Sequence, residues 1–259
     1  MWFSYLMYAT ERHEQILKEA RTAGRVEVTA IAHTLGVTTE TVRRDLRLLE
    51  QRGALRRVHG GAIPIERFTP ESAVDVRAGR VTSQKRAIAA RALDEIPTGG
   101  TLVLDAGTTT QALVELLPRE IELSVVTNSV SAATALATFP GVDLFVVGGR
   151  VRRLTGATVG RWATDALANI TADVAFLGTN GFSVRHGMST PDQAEATSKQ
   201  AIIDAARRVV VLADSTKYGA DQFHSFAPLS RVDVLISDRG LAAAAATEIA
   251  EAGPEVVLA

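Results

Sequence analysis

The chain has 259 residues, of which 46% are hydrophobic, 22% charged and 5% aromatic, and its formal net charge is -1. This composition is typical of a globular protein of one or two domains and excludes a disordered or collagen-like chain. Because no apolar run approaches the roughly 18 residues of a membrane span, and because the chain has no cysteine, the sequence predicts a cytoplasmic protein without a membrane partner, disulfides or thiolate metal sites.

Basic residues are concentrated near the start of the chain. The segment 41–60 contains six arginines against two acidic residues, Asp45 and Glu50, whereas the residues outside 9–67 are acidic on balance. A sign asymmetry of this kind commonly accompanies a nucleic-acid-binding module on an acidic body. A solvated helix face is the alternative interpretation of the same charges.

The first 66 residues predict three helices followed by a hairpin. The apolar spacing indicates a helix over 10–23, a second over 30–35 with Thr29 as its N-cap, and a third from 39 to about 51 with Thr38 as its N-cap. Gly36 permits a tight reversal between the last two helices. Two short runs, 55–58 and 62–65, then predict a hairpin whose turn is His59-Gly60-Gly61. This order of elements is typical of a winged helix-turn-helix domain.

The third helix is the predicted DNA reader. Val42, Leu46 and Leu49 fall on one face, so the basic residues of this helix are directed outward. The N-terminal part of such a helix contacts base edges, and flanking basic residues hold phosphates. The predicted DNA-binding residues are Thr38, Thr39, Thr41, Arg43, Arg44 and Arg47 around this helix, and Arg56, Arg57 and His59 in the hairpin.

The pattern changes beyond residue 66. Residues 67–82 contain Pro70 and Gly79, show no clear period and predict a linker. Seven short β-branched runs separated by helical stretches follow, and they suit a parallel sheet covered on both faces. The runs are 101–105, 123–127, 143–147, 174–177, 209–212, 232–236 and 255–258. The fold class is therefore predicted as α/β, with an N-terminal extension over 1–8, a winged helix-turn-helix domain over 9–66, the linker, and a mostly parallel α/β domain over 83–259.

Polar residues follow the ends of these strands. In an open parallel sheet the ligand crevice lies beyond the carboxyl ends of the strands. A glycine followed by three threonines at a helix start offers an anion free N–H groups and hydroxyls. With the acids, amide and cations at the other strand ends, these residues predict a site for a small phosphorylated polyol. The predicted site residues are Asp105, Gly107, Thr108, Thr109, Thr110, Asn128, Gly148, Gly149, Arg150, Lys199, Asp214 and Lys217.

Other interpretations of these motifs stay open. A Gly-Thr-Thr turn is often only a helix cap, and Asp214 and Asp238 are suited to capping as well. The five histidines show no metal-ligand spacing, and no Gly-x-Gly-x-x-Gly motif opens the first strand–helix unit. The sequence therefore predicts neither a metal nor a cofactor.

Three segments of the first domain form a specific signature: Glu11-Arg12 through Ile16, Val37 through Leu46, and Arg57 through Ala62. Together they closely resemble the DNA-binding domain of DeoR-type transcriptional repressors. Thr38 stands where the family usually has Ser, and since both residues cap helices, we expect this difference to affect the operator sequence rather than DNA binding itself. Chains of the family often begin near Met7, so we expect residues 1–6 to be an upstream extension or a misassigned start.

The second domain resembles the sensor domain of the same family. The similar segments are Asp105 through Thr110, Thr127-Asn128-Ser129, Gly148-Gly149, Gly178 through Gly181, Glu195 with Lys199, and Asp214 through Lys217. The resemblance implies a fold similar to ribose-5-phosphate isomerases and a sugar-phosphate effector in the crevice. It further implies a repressor of carbohydrate-metabolism or sugar-uptake genes, which the effector releases from double-stranded operator DNA.

Two other functions stay open beside the repressor. A sugar-phosphate isomerase needs a carboxylate that moves a proton between carbons, but residues 178–182 carry no acid where the isomerases have a cluster of them. The sequence thus predicts no catalytic residue and no enzyme. A transcriptional activator of the same family, or a DNA-binding protein without effector control, is the other alternative. Helix-turn-helix proteins usually place two heads on two half-sites, which predicts a homodimer or homotetramer.

Overall fold

The computed structural model describes residues 12–13, 15–17, 19–20, 25–51, 55–58, 60–64, 79 and 81–259, and for positions 56, 63 and 64 it describes the strand but not the side chain. The chain forms two compact units, Met1–Thr69 and Pro70–Ala259. The predicted extension over 1–8 and most of the predicted linker lie outside the described residues, so these boundaries stay predictions. In the described part of the chain, no helix is both long enough and apolar enough to cross a membrane.

The first unit contains three helical segments around one apolar core. Residues 12–13, 15–17 and 19–20 are helical, as predicted, and they are followed by α1 (Val28–Leu35) and α2 (Thr39–Gln51). Ile16 packs in the same core as Ile31 of α1 and Leu46 of α2. Gly36 between α1 and α2 has a φ of 63°, the left-handed conformation that the predicted reversal requires.

The start of α1 was predicted wrongly. The helix begins at Val28 and its N-cap is Glu27, so Thr29 lies inside the first turn instead of capping it. Val28 is buried in the core, and burial of this side chain fixes the position of the first turn more strongly than the capping preference of a threonine.

A small antiparallel sheet completes the first unit. Its strands are β1 (Val26–Glu27), β2 (Leu55–Val58) and β3 (Gly61–Pro64), in the order β1-β3-β2. The predicted hairpin is confirmed, but its second strand begins at Gly61, one residue earlier than predicted, so Gly61 lies opposite Val58 and not in the turn. The two residues of β1 are too few for a period of two to be recognised. Gly61 is required here because a Cβ atom would lie 2.0 Å from the carbonyl oxygen of Val26.

The second unit contains twelve strands in its described part. They are β4 (Thr101–Leu104), β5 (Leu123–Thr127), β6 (Val142–Val146), β7 (Arg150–Arg152), β8 (Ala157–Val159), β9 (Ala172–Gly178), β10 (Gly181–Ser183), β11 (Gly187–Thr190), β12 (Ala206–Leu212), β13 (His224–Ala227), β14 (Val234–Ser237) and β15 (Glu255–Leu258). Its helices are α3 (Thr82–Ala92), α4 (Thr108–Leu116), α5 (Val130–Leu136), α6 (Arg161–Leu167), α7 (Gln193–Asp204) and α8 (Ala243–Glu251).

The seven runs predicted as strands form one parallel sheet. Its order is β15-β14-β12-β9-β4-β5-β6, and every neighbouring pair is parallel. Helices cover both faces: Leu102 and Leu104 of β4 share an apolar cluster with α3, α4 and α5, whereas Val103 between them belongs to a cluster with α6, α7 and α8. The predicted fold class, a winged helix-turn-helix followed by a parallel α/β domain, is confirmed.

The strand order reverses beside β4. The chain runs outward from β4 to β5 and β6, and then returns to the other side of β4 with β9. Such a switch point leaves a crevice between the carboxyl ends of the two strands, where ligands bind in open parallel sheets. The crevice of this protein therefore lies between the residues that follow β4 and those that follow β9.

Five short strands outside this sheet were not predicted. β7 and β8 form an antiparallel hairpin, and β10, β11 and β13 form a small antiparallel sheet. They have three or four residues each, too few for the alternation that identifies a strand. The β7–β8 hairpin is bonded to the carboxyl end of β5, since the N–H of Thr158 donates to the carbonyl of Asn128 at 2.7 Å.

Candidate DNA-reading surface and effector crevice

Helix α2 has the geometry predicted for a DNA reader. Its N-terminus is capped by Thr38, whose hydroxyl oxygen accepts a hydrogen bond from the N–H of Thr41 at 3.1 Å. Its apolar face, with Val42, Leu46 and Leu49, is buried in the core. The predicted basic residues are exposed on the other face. These are Arg43, Arg44 and Arg47.

The outward arginines have only loose partners. Glu40 lies 3.4 Å from the guanidinium of Arg43 and 3.7 Å from that of Arg47. Exposed pairs of this kind contribute about 0–1 kcal/mol, because water screens the charges and long side chains lose freedom when they pair. Little free energy therefore opposes transfer of these guanidinium groups to DNA phosphates.

The hairpin is attached to α2 by Arg57. Its N–H donates to Glu50 Oε1 at 2.9 Å and its Nε lies 2.6 Å from Glu50 Oε2. The backbone N–H and the guanidinium of Arg57 together lower the pKa of the Glu50 carboxyl. Arg57 thus has a positioning role besides the predicted DNA contact. The predictions for the Arg56 side chain and for His59 fall outside what the structure describes.

A buried ion network that was not predicted from the sequence lies behind the reading face. Asp45 is buried on the inner side of α2, where its carboxylate accepts from Arg12 Nε at 2.6 Å and lies 3.0 Å from His13 Nε2. Both partners come from the first helical segment. This network links α2 to that segment through hydrogen bonds and charge. The available signal in the sequence was that Asp45 is one of two acidic residues within a strongly basic stretch.

A buried ion pair lies at the switch point in the second unit. Asp105 follows β4, and the Nζ atom of Lys199 on α7 contacts its Oδ2 atom. Gly178, the last residue of β9, joins both: its N–H donates to Asp105 Oδ2 at 3.2 Å, and its carbonyl accepts from Lys199 Nζ at 2.9 Å. The ammonium also lies 5.6 Å from the ring centroid of Phe226. Two predicted site residues 94 positions apart are thereby brought together.

Burial and the Lys199 ammonium act in opposite directions on the pKa of the Asp105 carboxyl. Burial raises the pKa of the Asp105 carboxyl, and the Glu195 carboxylate raises it further, whereas the Lys199 ammonium and the Gly178 N–H act in the opposite direction. The pair as a whole is neutral. Its polar atoms are therefore suited to the hydroxyl groups of a ligand more than to a second full charge.

The start of α4 forms another wall of the crevice. Gly107 is its N-cap, and Thr108 and Thr109 belong to its first turn, where backbone N–H groups have no partner within the helix. Thr110 donates its hydroxyl to the Asp105 carbonyl at 2.7 Å, so this predicted ligand residue serves the fold. The turn from β4 into α4 is thereby held in place with its N–H groups aligned.

Asn128 also has a structural task. Its Oδ1 atom accepts from the N–H of Ala106 at 3.0 Å, and its Nδ2 atom donates to the carbonyl of Thr158 at 3.4 Å. The side chain therefore joins the end of β4 to the β7–β8 hairpin. A ligand at this point would meet an amide that is already hydrogen-bonded on both sides.

The β7–β8 hairpin is tied to α7 through Arg152. Its Nε lies 3.1 Å from Asp192 Oδ2 and its NH1 atom 3.2 Å from Glu195 Oε1, while the Thr155 hydroxyl also contacts Glu195. Burial acts to raise the pKa of the Asp192 carboxyl, but the backbone N–H of Glu195 and the guanidinium lower it by more. The sequence analysis named Arg150 and missed Arg152, because the inward face of so short a hairpin is not visible in the sequence.

The remaining predicted residues are not joined to the Asp105–Lys199 pair by any described contact. Arg150 is exposed at the start of β7. Gly149 has a φ of 143°, and a Cβ atom added to it would lie 2.8 Å from the carbonyl oxygen of Val159, so a glycine is needed here. Gly148 is exposed. These residues shape the turn after β6.

The two aspartates at the ends of β12 and β14 act as caps. Asp214 accepts from the N–H of Thr216 at 3.2 Å, at the start of the turn that contains Lys217. Asp238 accepts from the N–H groups of Ser215 at 2.7 Å and Gly240 at 2.9 Å. The capping interpretation accounts for both carboxylates, and a ligand role for Asp214 and Lys217 stays a prediction.

The chain matches two family models in tandem. Residues 12–68 match the DeoR-like helix-turn-helix domain, and residues 80–239 match the DeoR C terminal sensor domain. The second match covers the crevice and the β7–β8 hairpin, and the first covers α1, α2 and the wing.

Full-length relatives agree with these matches. The putative aga operon transcriptional repressor of Escherichia coli O157:H7 is 34% identical over 251 residues, which cover 96% of this chain and 93% of that protein. The HTH-type transcriptional regulator GlpR of Haloferax volcanii is 36% identical over 251 residues, 97% of this chain and 98% of that protein. Among solved structures, ribose 5 phosphate isomerase A from Neisseria gonorrhoeae is similar at 20% identity and a TM-score of 0.38, over 52% of each chain. The chain belongs to the DeoR family of DNA-binding transcriptional regulators.

Proposed function

We propose that this protein is a repressor of carbohydrate-metabolism or sugar-uptake genes, which binds operator DNA through α2 and the β2–β3 hairpin and leaves it when a phosphorylated sugar occupies the crevice. It works in the cytoplasm, as a homodimer or homotetramer, and performs no catalysis. The observation that carries this proposal is the buried Asp105–Lys199 pair beside the open N-terminus of α4. The names of the two relatives, an operon repressor and a transcriptional regulator, support it.

The crevice offers two kinds of contact side by side. The first turn of α4, with Gly107, Thr108 and Thr109, supplies N–H groups, hydroxyls and the positive end of a helix dipole, which suit a phosphate. The Asp105–Lys199 pair supplies a neutral set of donors and acceptors, which suits sugar hydroxyls. A phosphorylated sugar is the ligand that uses both sets, whereas inorganic phosphate or a free sugar would use one.

Release from DNA requires that the effector prefer the state with low DNA affinity. The two affinities are then linked by one reciprocal factor, typically about 5 to 150-fold. Arg152 connects the β7–β8 hairpin to α7 through its ion pair with Glu195. Glu195 lies on α7 four residues before Lys199. A ligand that moves Lys199 therefore acts on this hairpin as well.

The direct test is a thermal-shift screen of the full chain. The panel contains fructose 1-phosphate, glucose 6-phosphate, glycerol 3-phosphate, the free sugars and inorganic phosphate. A ligand at 100 times its dissociation constant adds about 2.7 kcal/mol of stability, so one phosphorylated compound should raise the Tm by several degrees. Thr109→Ala should reduce this shift, and Thr134→Ala, which changes an exposed threonine on α5, should leave it intact.

The same compound must then act on DNA binding. With an operator fragment selected from genomic DNA by the protein itself, the compound should weaken binding by the factor above, and Thr109→Ala should bind the fragment but resist release. Equal stabilisation by free sugar and phosphorylated sugar would contradict the proposed site. Stabilisation without any change in DNA affinity would contradict the proposed coupling.

A further inference from the structure

Strand β6 forms an open edge of the seven-stranded sheet. It pairs with β5 on one side only. The N–H of Val147 donates to the carbonyl of Thr127, and the carbonyl of Gly141 accepts from the N–H of Leu123. Because backbone groups alternate along a strand, residues 143 and 145 also face β5, and the N–H and C=O groups of Leu144 and Val146 face the open edge.

The middle of this edge lacks the usual protection against pairing, because the charged residue of β6, Asp143, lies near its start. Natural sheets blunt exposed edges with lysines, prolines, bulges or a covering segment, because unpaired backbone groups invite another strand. Here the middle of the edge is apolar, with Phe145 53% exposed and Val146 55% exposed. In the described part of the chain, no strand, helix or side chain is hydrogen-bonded to the backbone groups of Leu144 and Val146.

The surroundings of this edge have the composition of an interface. Val151 is exposed in β7, and Trp162 at the start of α6 is 79% exposed. Helix α6 lies against the turn that joins β6 to β7, where a Cβ atom added at Gly149 would lie 3.5 Å from the Cβ of Ala163. Arg150 and Arg153 are exposed on the hairpin beside them. Aromatic residues and arginine are the types enriched in protein interfaces. We call Phe145, Val146, Val151 and Trp162 the edge patch.

We infer that the edge patch binds a second copy of this chain, with β6 paired antiparallel to β6 of the copy about a two-fold axis at Phe145. Leu144 of each chain then lies opposite Val146 of the other, and both residues exchange their free N–H···O=C bonds. Phe145 lies opposite itself as a non-hydrogen-bonded pair, with the two rings on one face. The two seven-stranded sheets become one continuous sheet.

Charge supports a second copy as the occupant. Asp143 is exposed near the start of β6, and Arg150 is exposed shortly after its end. In this register Asp143 lies opposite Val147 of the copy, three residues before Arg150, so an antiparallel pairing places the acidic start of β6 on the side of the copy that carries Arg150, twice by symmetry. A parallel pairing would place the two Asp143 side chains on the same side instead. The edge is therefore self-complementary in hydrogen bonds, apolar side chains and charge.

This inference deepens the proposed function, since two reading heads on one operator require two chains. It also places the interface close to the effector site, because the β7–β8 hairpin follows β6 directly and is held by Arg152 to α7. The test below uses no DNA and no effector, so its failure would leave the proposed repressor function standing with a different interface.

The test is disulfide trapping, because the chain contains no cysteine of its own. A non-hydrogen-bonded antiparallel pair has Cα atoms about 4.5 Å apart, within the range of about 4.4–6.8 Å that a disulfide bridges. Phe145→Cys in the full chain, treated with diamide, should therefore form a covalent dimer of twice 27.5 kDa on a non-reducing gel. Wild type should have at least that mass by light scattering at micromolar concentration.

Two matched variants separate pairing from random collision. In this register residue 143 of one chain lies opposite residue 147 of the other. The two cysteines of Asp143→Cys are therefore four residues, or roughly 13 Å, apart along the strands, and should not cross-link. Phe223→Cys replaces a phenylalanine with a similar exposed fraction, 63%, outside the edge patch, and should not cross-link either. Val146→Pro removes an edge-facing N–H without touching the β5 pairing, and should shift the assembly to smaller mass.

The outcomes decide the inference in both directions. Rapid cross-linking of Phe145→Cys alone, with a reduced mass for Val146→Pro, supports the edge-to-edge dimer. A monomeric wild type overturns it, as does equal cross-linking of all three cysteine variants.

Discussion

Charged side chains are held in opposite ways in the two units. On the reading face of α2, Arg43 and Arg47 are exposed and share one carboxylate at 3.4 and 3.7 Å. In the crevice, Lys199 and Asp105 are buried and in direct contact. Exposed pairs contribute about 0–1 kcal/mol, whereas removal of one partner from a buried pair costs about 3–5 kcal/mol. The exposed arginines can therefore exchange partners at little cost in free energy, whereas a ligand of the buried pair must hydrogen-bond to it without separating the two charges.

The largest effect should come from breaking the buried pair. Asp105→Ala leaves the Lys199 ammonium buried without its carboxylate, so we expect the free energy of unfolding of the second unit to fall by about 3–5 kcal/mol. Urea denaturation followed by circular dichroism measures this loss. The double variant Asp105→Ala/Lys199→Met removes both charges and should recover part of it. A loss below about 1 kcal/mol for the single variant would show that water reaches the pair and that the contrast between the two units is overstated.

This prediction also changes how a release-deficient variant should be designed. From sequence, Asp105 and Thr109 are equivalent candidates for ligand contact. In the structure Asp105 supports the fold as well, so its removal confounds ligand binding with stability. Thr109→Ala leaves the buried pair intact and is the cleaner variant for the effector experiment.

The first unit also contains a buried ion network, so the two units differ in their surfaces more than in their interiors. Asp45→Ala leaves Arg12 and His13 without their shared carboxylate, and we expect a loss of about 3 kcal/mol in the stability of that unit. Hydrogen exchange of peptides from residues 28–51 measures it without interference from the second unit. Unchanged protection in those peptides would mean that apolar packing alone orients α2.

The same network gives a pH dependence of known sign. Burial acts to raise the pKa of the Asp45 carboxyl, but the hydrogen bonds from Arg12 and His13 lower it by more. The stabilising contribution is therefore complete above the unfolded pKa of aspartate, about 3.9, and is lost as the pH falls through the lower folded value. The difference in stability between wild type and Asp45→Ala should shrink below about pH 4.

Sequence patterns predicted the fold class and most secondary-structure elements, but they did not predict the buried networks of charged side chains. The seven strands of the parallel sheet contain short, largely apolar runs, which local sequence identifies, and the place of Thr38 before a helical period predicts its role as a cap. In the Asp45 network, Arg12 is 33 residues and His13 is 32 residues away from Asp45 along the chain. No local sequence pattern encodes a contact over such a distance. Arg152 was missed for a related reason: which arginine of the hairpin points inward depends on how the hairpin docks, and docking is a tertiary property.

A smaller effect should follow from changes on the reading face, and it should appear in DNA binding alone. Arg43→Ala or Arg44→Ala should weaken operator binding by about 1–3 kcal/mol where the arginine contacts a base, and should lower the slope of log affinity against log salt by about 0.9 where it contacts a phosphate. The free energy of unfolding should change by less than about 0.5 kcal/mol. Arg207→Ala, which changes an exposed arginine in the second unit, is the control. If both reading-face variants bind with unchanged affinity and salt slope, α2 is not the reader.

The smallest effect should come from the cap of α2, where stability and recognition can be separated within one side chain. Thr38→Ala removes the hydroxyl that accepts from the N–H of Thr41, and caps of this kind contribute about 1 kcal/mol. Thr38→Ser keeps the oxygen and removes only a methyl group, so its stability should match wild type within a few tenths of a kcal/mol. Hydrogen exchange of the α2 peptides measures both differences. If Thr38→Ser changes the preferred operator sequence while its stability is unchanged, Thr38 contacts the DNA through its methyl group and caps the helix through its oxygen; if it changes neither, Thr38 is a cap alone.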